Sequence, residues 1–297
     1  MQCPHCHNEA CLIKKGFYVR PSDLKKIRRY QCKICRKWIS DQWWSHEYRL
    51  RKRRINQEIF NLICRGMSQR AVAEHLNVKR EAIARRMIRF GRCSKANLES
   101  YRLSRNPAKT IEIDEMESFE KTKCKPLTIP IAVEHKTRKI LALQIGRIAP
   151  KGQLTEKAFK KYGHIVCERN ICLKELFKEL QLCVHPQCTI KSDKSYHYLS
   201  PIKTYFPEAK HLSFKGRKPK ETGLGELKKG GFDPIFSINH SLAMFRDNLK
   251  TLSRKTWCTS KKIERLENLL YMYSWFHNKR LDRPRKRVHL AWEARCN

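Results

Sequence analysis

The sequence predicts a multidomain α/β protein: a small zinc ribbon, a helical unit and a mixed-sheet domain. Three observations predict it. Two C-x-x-C pairs, Cys3–Cys6 and Cys32–Cys35, open the chain. Residues 55–92 repeat apolar side chains at helical spacing. From residue 110 the pattern changes to short apolar strands interspersed with helices.

Composition narrows the class of partner. The chain of 297 residues carries 65 Lys+Arg against 28 Asp+Glu, a formal charge of +37, spread over its whole length. That balance calls for a polyanion, with nucleic acid first and an acidic membrane surface second. Hydrophobic content of 40% is enough to fold. No apolar run approaches the ~20 residues of a membrane span, and the N-terminus lacks a signal-peptide pattern. A cytoplasmic, nucleoid-associated protein with no membrane partner is expected. Its 14 Cys then read as thiols or metal ligands rather than disulfides.

Residues 1–45 form the first unit. Cys3, Cys6, Cys32 and Cys35 supply four thiolates for a tetrahedral structural Zn²⁺. The intervening segment, Leu12 to Tyr30, alternates like ribbon strands and is too short to make a core unaided, so metal binding would carry much of its folding energy. His5, His7 and Cys11 read as bystanders, since four Cys satisfy the site. The stretch Trp38 to Arg54 is aromatic and basic; its Trp residues read as packing and its cations as phosphate contacts.

Residues 46–95 form the helical unit. Ile55, Ile59, Leu62 and Ile63 share a helix face. Ser68 is a good N-cap for a short second helix carrying Val72, Ala73 and Leu76 inward. Asn77 stands where a tight turn needs a residue tolerant of positive φ. A third helix then puts Ile83 inward and Lys79, Arg80, Arg85, Arg86 and Arg89 outward. This is a helix-turn-helix pattern, whose second helix enters the DNA major groove. Residues 96–109 read as a polar linker, and 110–280 as the sheet domain.

That domain opens on Ile111-Glu112-Ile113-Asp114-Glu115-Met116-Glu117-Ser118-Phe119-Glu120, five carboxylates in ten residues of a cationic chain. The cluster is either a solvated strand rim or a place for a hard divalent cation. Strands follow at Pro126–Glu134 and Ile140–Ile148, then a helix at Cys172–Leu182, a strand at 188–191 ending in Ser192-Asp193, a helix at Tyr196–Tyr205 and a strand at 211–214. A basic Gly-rich loop, Lys215 to Gly231, leads to helices. Three strands, helix, strand, helix, strand is the ribonuclease-H-like order. It sets the first and fourth strands side by side, so Asp114 and Asp193 can face one metal site. Asp193 can equally serve as a helix N-cap.

Several motifs resemble one family. Asp-Glu-Met at 114–116, Ser-Asp at 192–193, Ile-Asn-His at 238–240, Phe-Arg at 245–246 and Leu-Ser-Arg-Lys-Thr-Trp-Cys-Thr-Ser at 252–260 resemble bacterial insertion-sequence transposases of the DDE type with an N-terminal zinc ribbon and helix-turn-helix. The resemblance covers nearly the whole chain. It implies Mg²⁺ or Mn²⁺ on Asp114 and Asp193, DNA as partner and a homo-oligomer on two transposon ends. The family's third residue is usually Glu, seven positions before a cation. Here Asn239 stands there, with Arg246 seven later (246 − 239) as a phosphate clamp. Some related groups carry Asn. The departure leaves a rival reading: a decayed or domesticated transposase that only binds DNA. A ribonuclease-H-like nuclease is a third. The basic stretch Leu249 to Lys262, with Lys250, Arg254 and Lys255, reads as a DNA-contacting helix, Ile263–Phe276 as a core helix, and 281–297 as a basic tail.

Overall fold

The computed structural model describes residues 1–21, 23–45, 47–48, 50–215, 233–253 and 258–282. Arg254, Lys255, almost all of the Gly-rich loop and all but two residues of the tail lie outside them.

The N-terminal ribbon is a three-stranded antiparallel sheet, β1 (Leu12–Val19), β2 (Lys26–Cys32) and β3 (Trp38–Ser40), in that order. Its small core is mostly sulfur: Cys3, Cys11 and Cys32 with Tyr30 and Ile39. Trp43 and Trp44 fold back on the ribbon, against His5 and Tyr30 respectively. So little apolar surface makes a weak core, as the sequence implies.

Three helices follow: α1 (Asn56–Cys64), α2 (Gln69–His75) and α3 (Arg80–Ser104). Ser68 Oγ accepts the Ala71 N–H at 3.2 Å, the expected cap. Asn77 takes φ +46° in the turn before α3. The expected linker 96–109 is a correction: α3 continues to Ser104 with Asn97, Leu98 and Arg102 buried. Arg102, 2% exposed, donates to the Leu141 carbonyl and pairs with Glu179 at 3.1 Å. Tertiary pairing of this kind is what a polar composition conceals.

The second sheet has six strands: β4 (Ala108–Phe119), β5 (Pro126–Glu134), β6 (Ile140–Leu143), β7 (Gly146–Arg147), β8 (Val184–Asp193) and β9 (Lys210–Phe214). The order is β6-β5-β4-β8-β9, with β7 also on β5. The pairs β6–β5 and β5–β4 are antiparallel, while β4–β8 and β8–β9 are parallel. This is the ribonuclease-H-like mixed sheet. The expected third strand is broken into β6 and β7. Between β7 and β8 run α4 (Leu154–Tyr162), absent from the sequence expectation, and α5 (Arg169–Leu180); α6 (Leu199–Tyr205) joins β8 to β9. After the Gly-rich loop come α7 (Phe236–Asn248) and α8 (Ile263–Leu281).

Both sheet faces are covered, so seven consecutive residues of β5 are buried. Ile111, Ile113 and Ile190 pack on α5 and α6. Met116, Ile129 and Ile131 on the other face share one core with α1–α3, α7 and α8. The three-helix unit is thus fused to the sheet domain rather than hung from it. Gly91 of α3 shows how close that join is: a Cβ there would sit 2.6 Å from the Asn268 Cα of α8.

Candidate functional site

Register builds the site. On the parallel β4–β8 pair, Ile111 matches Ile190, Glu112 matches Lys191 and Ile113 matches Ser192. The next level holds Asp114, midway along β4, and Asp193, the last residue of β8, on the face covered by α7. Successive side chains alternate across a sheet, so the isoleucines face α5 and the acids face α7. Asp114 Oδ1 accepts the Glu115 N–H at 2.7 Å, and Asp193 Oδ1 accepts the Ser195 N–H at 3.1 Å.

Of the five acids in residues 111–120, four are engaged. Glu112 binds His135 and the start of α7. Glu115 takes Arg169 at 2.9 Å and the Thr128 hydroxyl at 2.6 Å. Glu117 takes Lys151 at 3.0 Å. Glu120 accepts the Ile263 N–H at the start of α8, at 3.2 Å. Asp114 has no ion-pair partner among the described residues. Burial pushes its carboxyl up to about 7; the negative charges of Asp193 and Glu115 push the same way, and the Glu115 amide and Arg246 oppose them. A buried acid crowded by a second acid is the environment a divalent cation relieves.

Asn239 and Arg246 both lie on α7, two turns apart on one face. Arg246 acts electrostatically on Asp114 and the Ile238 N–H meets Glu112, so α7 runs alongside the acids. Asn239 is exposed, and its Nδ2 donates to Asp233 Oδ2 at 2.7 Å. A carboxylate accepts only, so Asp233 fixes the amide with Oδ1 as its free acceptor. Among the described residues no third His, Cys, Asp or Glu gathers with Asp114 and Asp193.

The sulfur site differs from its expectation in one respect. Cys3 Sγ lies 3.7 Å from Cys35 Sγ, and Cys6 Sγ 3.6 Å from Cys32 Sγ. Tetrahedral zinc with ~2.3 Å bonds needs sulfurs about 3.8 Å apart, so the residues fit the metal. Cys11, expected as a bystander, is 4% exposed, and its Sγ lies 3.5 Å from Cys32 Sγ. Cys3, Cys6, Cys11 and Cys32 keep all their sulfurs within 4.8 Å of one another. The sequence hid this because spacing alone cannot show that β1 starts beside the knuckles.

The cations of the helical unit divide. Lys79, Arg80 and Arg85 are exposed. Arg86, expected outward, is a correction: it is 6% exposed, donates to Asn56 Oδ1 at 2.8 Å and binds the Arg51 carbonyl. Arg89 is half-buried and donates to the Tyr48 carbonyl. These two brace the connector onto α3. The expected helix over residues 249–262 is a further correction: α7 ends at Asn248, and the exposed Lys250 opens a single 3-10 turn, Lys250–Leu252.

No protein-family model and no curated protein matches the chain. Among solved structures it is similar to the Mos1 strand transfer complex, 12% identical over 80% of this chain and 81% of that one, with a TM-score of 0.24. It is also similar to the Mos1 mariner paired-end complex with Mn, 13% identical over 79% and 78%, TM-score 0.23. A third is the catalytic domain of Mos1 mariner transposase, 13% identical over 65% and 91%, TM-score 0.22. Overlaps this slight do not bear on function.

Other residues at the site carry no sequence motif. Arg169 reaches from α5 to Glu115 and to His197 Nε2 at 3.1 Å. Tyr198 is buried beside both aspartates; its burial first, and the charges of Asp114, Glu115 and Asp193 after it, hold its phenol protonated. Glu112, His135 and Lys191 form the layer just beneath the acids. No helix among the described residues is long and apolar enough to cross a membrane.

Proposed function

We propose that the chain is a DDE-type transposase, which binds transposon-end DNA and catalyses metal-dependent strand cleavage and strand transfer. The observation that carries this reading is the level placement of Asp114 and Asp193 on adjacent parallel strands, with Asp114 the acid of its cluster that has no salt bridge among the described residues. Asp114 and Asp193 would hold a divalent Mg²⁺ or Mn²⁺ there, which would supply Lewis-acid activation of the attacking oxygen and charge neutralisation at the leaving one. Asn239 Oδ1 would offer it a third, neutral oxygen. Arg246 takes the scissile phosphate, which needs a cation that cannot lose its proton. Lys79, Arg80, Arg85 and Lys250 track the DNA backbone, with α2 and α3 acting as a helix-turn-helix. The ribbon, closed on Zn²⁺, presents its own basic surface. A homo-oligomer on two ends completes the reading.

The deciding experiment incubates purified protein with end DNA and Mg²⁺ or Mn²⁺. Nicking that Asp114→Ala abolishes supports the enzyme. Binding without nicking in either metal supports the second reading, a DNA-binding protein descended from a transposase. One observation favours that second reading: the site lacks a third carboxylate among the described residues.

A further inference from the structure

Glu112 stands one layer below Asp114 on β4, and Lys191 one layer below Asp193 on β8. Glu112 is fully buried. Its Oε2 accepts the backbone N–H of Ile238 at 2.8 Å, in the first turn of α7. Its Oε1 binds His135 Nδ1. His135 Nε2 lies 3.3 Å from Lys191 Nζ, which also donates to the Pro234 carbonyl at 3.4 Å. The polarity is consistent: lysine only donates, so Nε2 accepts and the Nδ1 proton goes to the carboxylate.

The start of α7 needs such help. Its N-cap residue is Ile235, which offers no side-chain acceptor. The first amides of a helix are unpaired and attract an anion. Glu112 answers that need from a different strand, 126 positions away. On the same side, Lys136 N–H donates to Ser237 Oγ at 3.0 Å. Together these bonds fix the height and rotation of α7 against the sheet.

We infer that Glu112, seconded by His135 and Lys191, is the positioning residue that sets Asn239 against Asp114 and Asp193. Asn239 directly follows the bonded Ile238, so a fixed Ile238 amide fixes the Asn239 side-chain direction. The ladder that aligns the two aspartates also aligns Glu112 with Lys191, so the third oxygen is indexed to the same two strands as the first two. The inference rests on the transposase reading for its consequence, and on the hydrogen bonds alone for its geometry.

The test compares Glu112→Gln, Asn239→Ala and the double variant. Amide hydrogen exchange over residues 236–240 should rise at least tenfold in Glu112→Gln. Mn²⁺ affinity, followed by electron paramagnetic resonance, should weaken equally in all three proteins, as should single-turnover nicking, because two residues acting through one contact are non-additive. End-DNA binding should stay at the wild-type level. Unchanged exchange in Glu112→Gln, no effect of Asn239→Ala, or losses that multiply in the double variant overturns the inference. If Glu112→Gln does not fold, Lys191→Met, which frees the Pro234 carbonyl, takes its place in the cycle with the same outcomes. If the wild-type protein cuts no DNA the transposase reading fails, while exchange and Mn²⁺ binding still decide the positioning role.

Discussion

Asp193 stands beside Asp114 because Ser192 pairs with Ile113 one level earlier on two parallel strands. Two acids brought that close by backbone register, with four neighbouring glutamates already engaged, leave a negative site of fixed shape. Replacing either with Asn keeps the shape and halves the charge. Asp114→Asn and Asp193→Asn should each lower metal-dependent nicking by at least 10²–10³-fold, the scale of losing one essential electrostatic group. End-DNA binding by gel shift should not change.

The raised Asp114 carboxyl gives stability a pH dependence with a definite sign. Its ordinary value is 3.8 and its folded value about 7, through burial first and the Asp193 charge after it. Between those values the native state binds the extra proton, so this group favours folding most at low pH and the contribution is lost as pH rises through 7. In Mg²⁺-free buffer Asp114→Asn should therefore be the more stable protein at pH 8, by ~2–4 kcal/mol in urea unfolding. The gap should narrow by about 2 kcal/mol at pH 5. Saturating Mg²⁺ should reverse the order at pH 8.

Five thiols stand where four are needed. Cys3, Cys6 and Cys32 belong to both possible quartets, completed by Cys35 or by Cys11. Zinc content should fall to near zero in Cys3→Ser, Cys6→Ser and Cys32→Ser. Cys11→Ser and Cys35→Ser should each retain about one zinc per chain, and the double variant should lose it. Chelation should unfold residues 1–45 selectively, since that core is mostly the thiols that would hold the metal.

Arg86 and Arg85 are neighbours with opposite expected effects. Arg86→Ala leaves Asn56 Oδ1 and the Arg51 carbonyl without their donor and should cost about 2 kcal/mol or more in unfolding. Arg85→Ala, Arg80→Ala and Lys79→Ala should leave stability alone. Each should weaken DNA binding evenly across sequences and flatten the salt slope by about 1.

Much of this was legible in the chain itself. Period-2 apolar runs gave β4, β5 and β9, helical spacing gave α1, α5 and α8, and Ser68 and Asn77 marked the cap and turn around α2. Local patterns of this kind are set by which side chains must avoid water, and they survive in one dimension. What failed was polar residues buried by distant partners: Arg86 on Asn56, Arg102 on Glu179, and the whole stretch 96–104 inside α3.

The sequence by itself pointed to most of the elements and their order, the two C-x-x-C pairs and the two candidate acids, because each rests on residue type and near spacing. Only the tertiary structure decided which acid of the cluster has no salt bridge among the described residues, that Cys11 joins the sulfur site, and that Glu112 holds the helix carrying Asn239. The physical reason is the same in all three cases. A charge or thiol takes its role from the partner within hydrogen-bond reach, and that partner is supplied by strand register and helix packing from elsewhere in the chain.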